Sequence, residues 1–139
     1  MWSHRNPLLC TASICSMTAN ILQGCEMDPR ELGPVVMDFY ATSLERGLAA
    51  RDRSDPARFV DVAHDDFVAD SLGVLERIYD HFGTPLSEAA RAALQAHVAA
   101  NPKGKHGEHS YSLEAYGLDP DRVRARFSDY IERFGIDAS

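Results

Sequence analysis

Only one segment of this 139-residue chain has the pattern of a complete β-strand. It spans residues 58–63, where β-branched and aromatic side chains precede a polar pair. Residues 2–4 resemble the end of a second strand, which runs directly into Arg5-Asn6-Pro7. One short strand cannot form a sheet, so these segments need partners. The sequence therefore predicts part of an α/β domain whose central strands are missing.

Apolar residues at helical spacing predict that helices make up most of the remaining chain. The first helix begins with Asn6 as its N-cap and Pro7 at its first position, and it ends near Gly24. The second spans Pro29 to about Arg51, and Pro34 marks its first turn or a kink.

Three further helices are expected in the second half of the chain. They are a helix that carries Leu72, Leu75, Tyr79 and Phe82, a helix from Ser87 to about Ala100, and a helix from Asp119 to about Phe134. The expected core stripes are Leu8, Ala12, Cys15, Ala19 and Leu22 of the first helix, Val36, Tyr40, Leu44 and Leu48 of the second, and Val123, Phe127, Tyr130, Ile131 and Phe134 of the last.

The charge balance restricts the function. Hydrophobic residues make up 45% and charged residues 25%, which is a globular composition, and the formal net charge is −7. This charge argues against nucleic-acid binding through a general basic surface. An anion site must therefore be local and built from a few cations. The two lysines, Lys103 and Lys105, are close together in the sequence.

The cysteines and the N-terminus favour a cytoplasmic protein. Cys10, Cys15 and Cys25 lack metal-ligand spacing, and we expect small buried thiols of a reducing compartment. A secretory leader that is cleaved at Cys25 is the alternative. Its central region would contain several hydroxyl and amide side chains, and Arg5 alone would supply positive charge before it. No stretch is apolar enough to predict a transmembrane helix.

Two stretches have the chemistry to bind a phosphate. Arg5 stands at the start of the first helix, and Ser13 lies two turns into it, so a guanidinium and a hydroxyl could close on one anion. The second stretch is Lys103-Gly104-Lys105-His106-Gly107, in which glycines allow close backbone approach and lysines supply charge. Taken separately, each stretch is more typical of exposed surface.

Taken together and in this order, the segments resemble the sulfotransferases that use 3′-phosphoadenosine 5′-phosphosulfate (PAPS), most closely the bacterial branch. The similar segments are HRNP with its Ser-rich helix, AHDDFVADS, RIYDHFGTPLS, NPKGKHGEHSYSLEAYGLD and FSDYIERFGI. The resemblance implies the C-terminal part of a P-loop-containing, parallel-sheet α/β fold. It also implies transfer of a sulfuryl group from PAPS to an acceptor hydroxyl or amine, with no metal.

The resemblance also implies binding roles for particular residues. Arg5 and Ser13 would hold the 3′-phosphate, and Lys103 and Gly104, with Lys105 beside them, would close over the same phosphate. His64 takes the place of a family tyrosine near the adenine. Pro102 stands where the eukaryotic cytosolic members have an arginine.

The family's phosphosulfate loop, often Gly-x-Pro-Arg-Ser-Gly-Thr, has no counterpart in this sequence. The loop cradles the 5′-phosphosulfate, and the resemblance places it, together with the catalytic base (usually His or Glu), upstream of Met1. We therefore expect residues 1–139 to form a single, incomplete domain with weak or no turnover alone. A truncated gene, a misplaced start codon or a missing N-terminal half would explain this. Exposed apolar stripes would then cause poor solubility or self-association.

Other interpretations remain open at this stage. A non-catalytic helical interaction module, or a remnant fragment, would explain the helices and the acidic surface. His106, Glu108 and His109 would be a metal site of unfamiliar spacing. For a sulfotransferase, the helix from Asp38 to Arg46 would form part of the acceptor wall. The acceptor could be a carbohydrate, a lipid, a phenol or a small metabolite.

Overall fold

The computed structural model describes residues 1–101 and 112–138. Its elements are β1 (Trp2–His4), α1 (Pro7–Ile21), α2 (Pro29–Asp52), a 3₁₀ turn (Pro56–Arg58), β2 (Asp61–Ala63), α3 (His64–Ala69), α4 (Ser71–His81), α5 (Glu88–Ala100), a second 3₁₀ turn (Glu114–Tyr116), α6 (Pro120–Arg126) and α7 (Ser128–Phe134). The described residues fall into two compact units, of residues 1–4 with 55–101 and of residues 5–54 with 112–138.

The first unit contains a two-stranded parallel sheet. β1 pairs with β2 so that Trp2 lies opposite Asp61 and His4 opposite Ala63. His4 is only 5% exposed, and its Nε2 lies 2.7 Å from Asp61 Oδ1 across the two strands. Parallel strands require a long crossover, here more than 50 residues, so this pairing is the mark of an α/β fold. Helix α3 packs on β2 and on α4, which in turn contacts α5.

The second unit is helical and contains the main hydrophobic core. Helix α1 packs against α2 and α6, and the second 3₁₀ turn also contacts α2. The buried cluster consists of Ala12, Cys15, Leu32, Val36, Met37, Ala41, Leu113, Leu118, Val123 and Phe127. Three of the expected core positions of α1 and α2, namely Ala12, Cys15 and Val36, are among them, whereas Tyr40 and Leu44 are half-buried at its edge.

Four expectations need correction. The strand predicted over 58–63 is shorter, because residues 56–58 form a 3₁₀ turn and β2 begins at Asp61. Residues 64–69 form a separate helix, α3, which was not predicted. The predicted last helix is broken at Phe127 into α6 and α7. Cys25, expected to be buried, is exposed because it lies in the turn after α1.

Helix α2 spans Pro29–Asp52, close to the predicted bounds. Pro34 lies inside the helix, at its sixth position, and not in its first turn. No helix in the described part of the chain combines the length and the apolar character that a bilayer-spanning segment requires.

The cap of α1 supports a first prediction. Asn6 Oδ1 accepts a hydrogen bond of 2.9 Å from the Leu8 amide, and Pro7 occupies the first helical position. Replacing Asn6 with alanine removes this acceptor, and we expect a loss of about 1 kcal/mol in the free energy of unfolding. Asn6→Asp should preserve the stability, because a carboxylate caps equally well. Urea unfolding followed by circular dichroism measures both variants, and an Ala variant as stable as wild type would show that the cap does not contribute.

Candidate functional site

The candidate site is the start of α1, which Arg5 precedes by two residues in the sequence. This start is called the corner below. Arg5 is exposed and directly follows the last strand residue, His4. The 15-residue helix α1 begins two residues later, so its N-terminus, which carries partial positive charge, lies beside the guanidinium-bearing residue. Arginine side chains and helix N-termini are both groups that bind anions. That Arg5 binds a phosphate stays a prediction.

Ser13 lies on the same helix and is half-buried. It is six residues beyond Pro7, which places it about 9 Å along the helix axis from the first turn. Arg5 and Ser13 belong to the same compact unit. Arg5 therefore lies two residues before α1, and Ser13 lies near the middle of that helix. That the two residues hold one phosphate stays a prediction.

A hydrogen-bonded pair that the sequence did not reveal lies next to this corner. The Tyr40 hydroxyl donates to the Cys10 sulfur, which joins the middle of α2 to the first half of α1. Burial raises the pKa of Cys10, whereas the Tyr40 hydrogen bond and the positive charge of Arg5 oppose this rise. Burial also raises the pKa of Tyr40. Both groups therefore remain protonated near neutral pH, and Arg5 lies near enough to act on the thiol.

The remaining predicted residues lie elsewhere. His64 is half-buried and is the first residue of α3, directly after β2, in the other compact unit. Lys103, Gly104 and Lys105 lie outside the described residues, as do His106, Glu108 and His109. Within residues 1–101 and 112–138, no three histidine, cysteine, aspartate or glutamate side chains group as metal ligands.

The catalytic base has no assigned residue in this chain. The described residues begin at Met1, directly before β1, and β1 leads to Arg5. Met1 is exposed. The expectation that the base lies upstream of Met1 stays a prediction, and none of the side chains at the corner is given that role.

The His4–Asp61 bond was also missed by sequence reasoning. No local spacing signals this pair, because the two residues lie on different strands and are 57 positions apart. Trp2 stacks on His4 with ring centroids 6.3 Å apart, and the Phe59 ring lies 6.5 Å from Trp2. Trp2 and His4 belong to β1, which ends one residue before Arg5.

Comparison with known proteins identifies the class of protein. A model described as "Sulfotransferase family" matches residues 1–88. Because the match covers more than half of the chain, the protein belongs to the sulfotransferase family. The matched region includes Arg5, Ser13 and His64 and ends before Lys103.

Mycobacterial proteins are among its relatives. The chain is 26% identical, over 102 residues, to omega-hydroxy-beta-dihydromenaquinone-9 sulfotransferase Stf3 of Mycobacterium bovis and of Mycobacterium tuberculosis. These alignments cover 73% of this chain and 25% of each relative, so the chain spans about a quarter of their length.

Two solved structures are similar over almost the whole chain. Sulfotransferase STF9 from Mycobacterium avium matches with a TM-score of 0.86 and 26% identity, over 96% of this chain and 35% of that one. Sulfotransferase STF1 from M. tuberculosis matches with a TM-score of 0.76 and 37% identity, over 91% and 32%. The predicted bacterial-type family and the partial α/β fold are therefore both confirmed.

Proposed function

We propose that this chain contributes the 3′-phosphate clamp of a PAPS-dependent sulfotransferase. In this proposal, Arg5 and Ser13 bind the 3′-phosphate, and Lys103, Gly104 and Lys105 close over it. His64 contacts the adenine side of the nucleotide. The acceptor supplies a hydroxyl or amine, and no metal takes part.

The position of Arg5 is the observation that carries the proposal. It is an exposed arginine between a strand of a parallel sheet and a capped helix N-terminus, and ligands of α/β folds bind at the carboxyl ends of such strands. The family match spans this corner, and sulfotransferases in general use PAPS as the sulfuryl donor.

The reaction assigns a limited role to these residues. The acceptor oxygen or nitrogen attacks sulfur, the bond between sulfur and the phosphate oxygen breaks, and the desulfonated nucleotide (PAP) leaves with the electron pair. A base removes the acceptor proton. Arg5 and Ser13 hold the leaving nucleotide in line with the acceptor, which is a positioning contribution.

We further propose that this 139-residue polypeptide has little turnover alone. The sequence contains no Gly-rich phosphosulfate loop, and the alignments span only about a third of the solved relatives. A further segment, as an N-terminal half upstream of Met1, would supply the loop and the base. Without such a segment, the isolated chain would associate with itself through its exposed apolar surface.

Titration with PAP by calorimetry tests the clamp. Arg5→Ala is expected to weaken PAP binding about 30-fold, because a charge-assisted bond to phosphate contributes about 2 kcal/mol. Arg122→Ala removes an exposed arginine of the same unit and serves as the matched control, with unchanged affinity expected.

A second ligand makes the test specific to the 3′-phosphate. Adenosine 5′-phosphate lacks that group, so its weaker binding should be insensitive to Arg5→Ala, and the difference between the two ligands isolates the contact. Lys103→Ala should also weaken PAP binding and leave the binding of adenosine 5′-phosphate unchanged. A folded protein that does not bind PAP would contradict the proposal and favour a non-catalytic helical module.

A further inference from the structure

We propose that the outer face of α1 is the docking surface for the polypeptide segment that carries the phosphosulfate loop. This inference rests on the proposed sulfotransferase function and names the surface through which that segment binds. The surface, which we call the α1 face, consists of Leu9, Ser13, Met17 and Ile21. These residues follow one another at every fourth position, so they lie in one row along the helix.

Three large apolar side chains of the α1 face are exposed. Leu9, Met17 and Ile21 are 51%, 57% and 74% exposed. The other side of the helix is already packed, because Ala12 and Cys15 are buried in the core cluster of the helical unit. A helix with apolar residues on both its packed side and its outer side is typical of a position between two layers of protein.

The charge pattern of α1 points in the same direction. No residue between Pro7 and Ile21 is charged, although charged residues make up 25% of the whole chain. Helix α2 shows the usual pattern, because Asp38, Glu45 and Arg46 are exposed on it. The α1 face therefore has the composition of a surface that protein covers, rather than one that faces solvent.

The length of the relatives indicates what covers this surface. STF9 and STF1 share the fold of this chain over 96% and 91% of its residues, yet these matches take up only 35% and 32% of the two relatives. About two thirds of each relative therefore lies outside the shared part. Polypeptide of that extent can cover an outer helix face as a further layer of the domain.

The proposed position of the nucleotide selects the α1 face for the segment with the loop. Ser13, proposed to bind the 3′-phosphate, stands in the middle of the row, with Leu9 and Met17 one turn away on either side. The phosphosulfate belongs to the same small molecule, so the loop that binds it must approach α1 from the side of Ser13. A second copy of this chain would bring a second α1 to a symmetric contact and would not supply the loop.

The test is co-expression of the affinity-tagged, full 139-residue chain with the N-terminal portion of STF1, up to the residue that aligns with Met1. We expect the two polypeptides to purify together. Met17→Asp and Ile21→Asp should each lower the recovered STF1 portion about tenfold, because each would bury an unpaired charge. Val98→Asp is the matched control, since Val98 is an apolar residue of α5 that is 46% exposed in the other compact unit. Circular dichroism of the chain alone verifies that every variant folds.

The outcomes separate this inference from the proposed function. Ser13→Ala should weaken PAP binding and leave co-purification unchanged, whereas Ile21→Asp should do the reverse. No co-purification with the wild-type chain, or equal losses for Ile21→Asp and Val98→Asp, would overturn the α1 face. A dimer of the chain that excludes the STF1 portion, and that Ile21→Asp dissociates in sedimentation experiments, would also overturn it. Co-purification that depends on Ile21, in a chain that does not bind PAP, would overturn the clamp and support the α1 face.

Discussion

Replacement of Phe127 by alanine is expected to lower the free energy of unfolding by about 4 kcal/mol. Phe127 is 2% exposed and belongs to the buried cluster of the helical unit, where its ring lies 5.2 Å from that of Tyr40. Removing the ring deletes apolar contact and leaves a cavity between α2 and the C-terminal helices, and the two costs add.

Phe39→Ala is the matched control for this experiment. It removes the same ring from the same unit, but from an exposed position, so a change within about 0.5 kcal/mol is expected. Urea unfolding monitored by circular dichroism gives both values. Similar losses for the two variants would mean that the C-terminal helices do not pack as described.

Replacement of Gly33 by alanine is expected to destabilise the protein by about 3 kcal/mol. A loss of stability is unusual for this substitution, because replacing glycine with alanine inside a helix ordinarily stabilises the helix by about 1 kcal/mol. At Gly33, however, a Cβ atom would collide with the carbonyl oxygen of Tyr116 and come within 2.9 Å of Leu118 Cγ. The Tyr116 carbonyl oxygen belongs to the backbone, so it cannot move aside as a flexible side chain can.

A second glycine supports this interpretation. Gly117 has φ +68°, and a Cβ there would lie 2.8 Å from the Arg30 carbonyl oxygen. α2 and residues 114–118 thus approach each other backbone to backbone, with a glycine on each side. Glu31→Ala, an exposed change in the first turn of α2, is the control and should alter stability little. A stabilised Gly33→Ala variant would refute the close approach.

Local signals predicted most of the secondary structure. Asn6-Pro7, Ser87 and Asp119-Pro120 are side-chain caps that act within a few residues, so the helix starts could be predicted correctly. Asp70 was overlooked, although its carboxylate caps α4 by accepting from the Gly73 amide. The break at Phe127 has no glycine or proline signal.

The candidate site also contains residues that local sequence patterns predict and contacts that they do not predict. Arg5 and Ser13 could be predicted as a pair because they belong to one local sequence pattern, and their role stays a prediction. The Tyr40–Cys10 and His4–Asp61 contacts join residues 30 and 57 positions apart, and no local spacing encodes such pairs. The expectation that residues 38–46 form part of an acceptor wall stays a prediction. Which side chains of α2 are exposed depends on the stripe that packs into the core, and tertiary packing decides that.

The helical unit is discontinuous, which has a consequence for synthesis on the ribosome. Residues 5–54 and 112–138 build one core, and Val123 and Phe127 pack into the cluster formed by α1 and α2. The nascent chain must therefore carry α1 and α2 without the C-terminal side chains that complete their core, while nearly 60 intervening residues are translated. Contacts this distant in sequence slow folding, and exposed apolar helices are prone to aggregation meanwhile. Expression at low temperature or with a chaperone should accordingly raise the yield of folded protein.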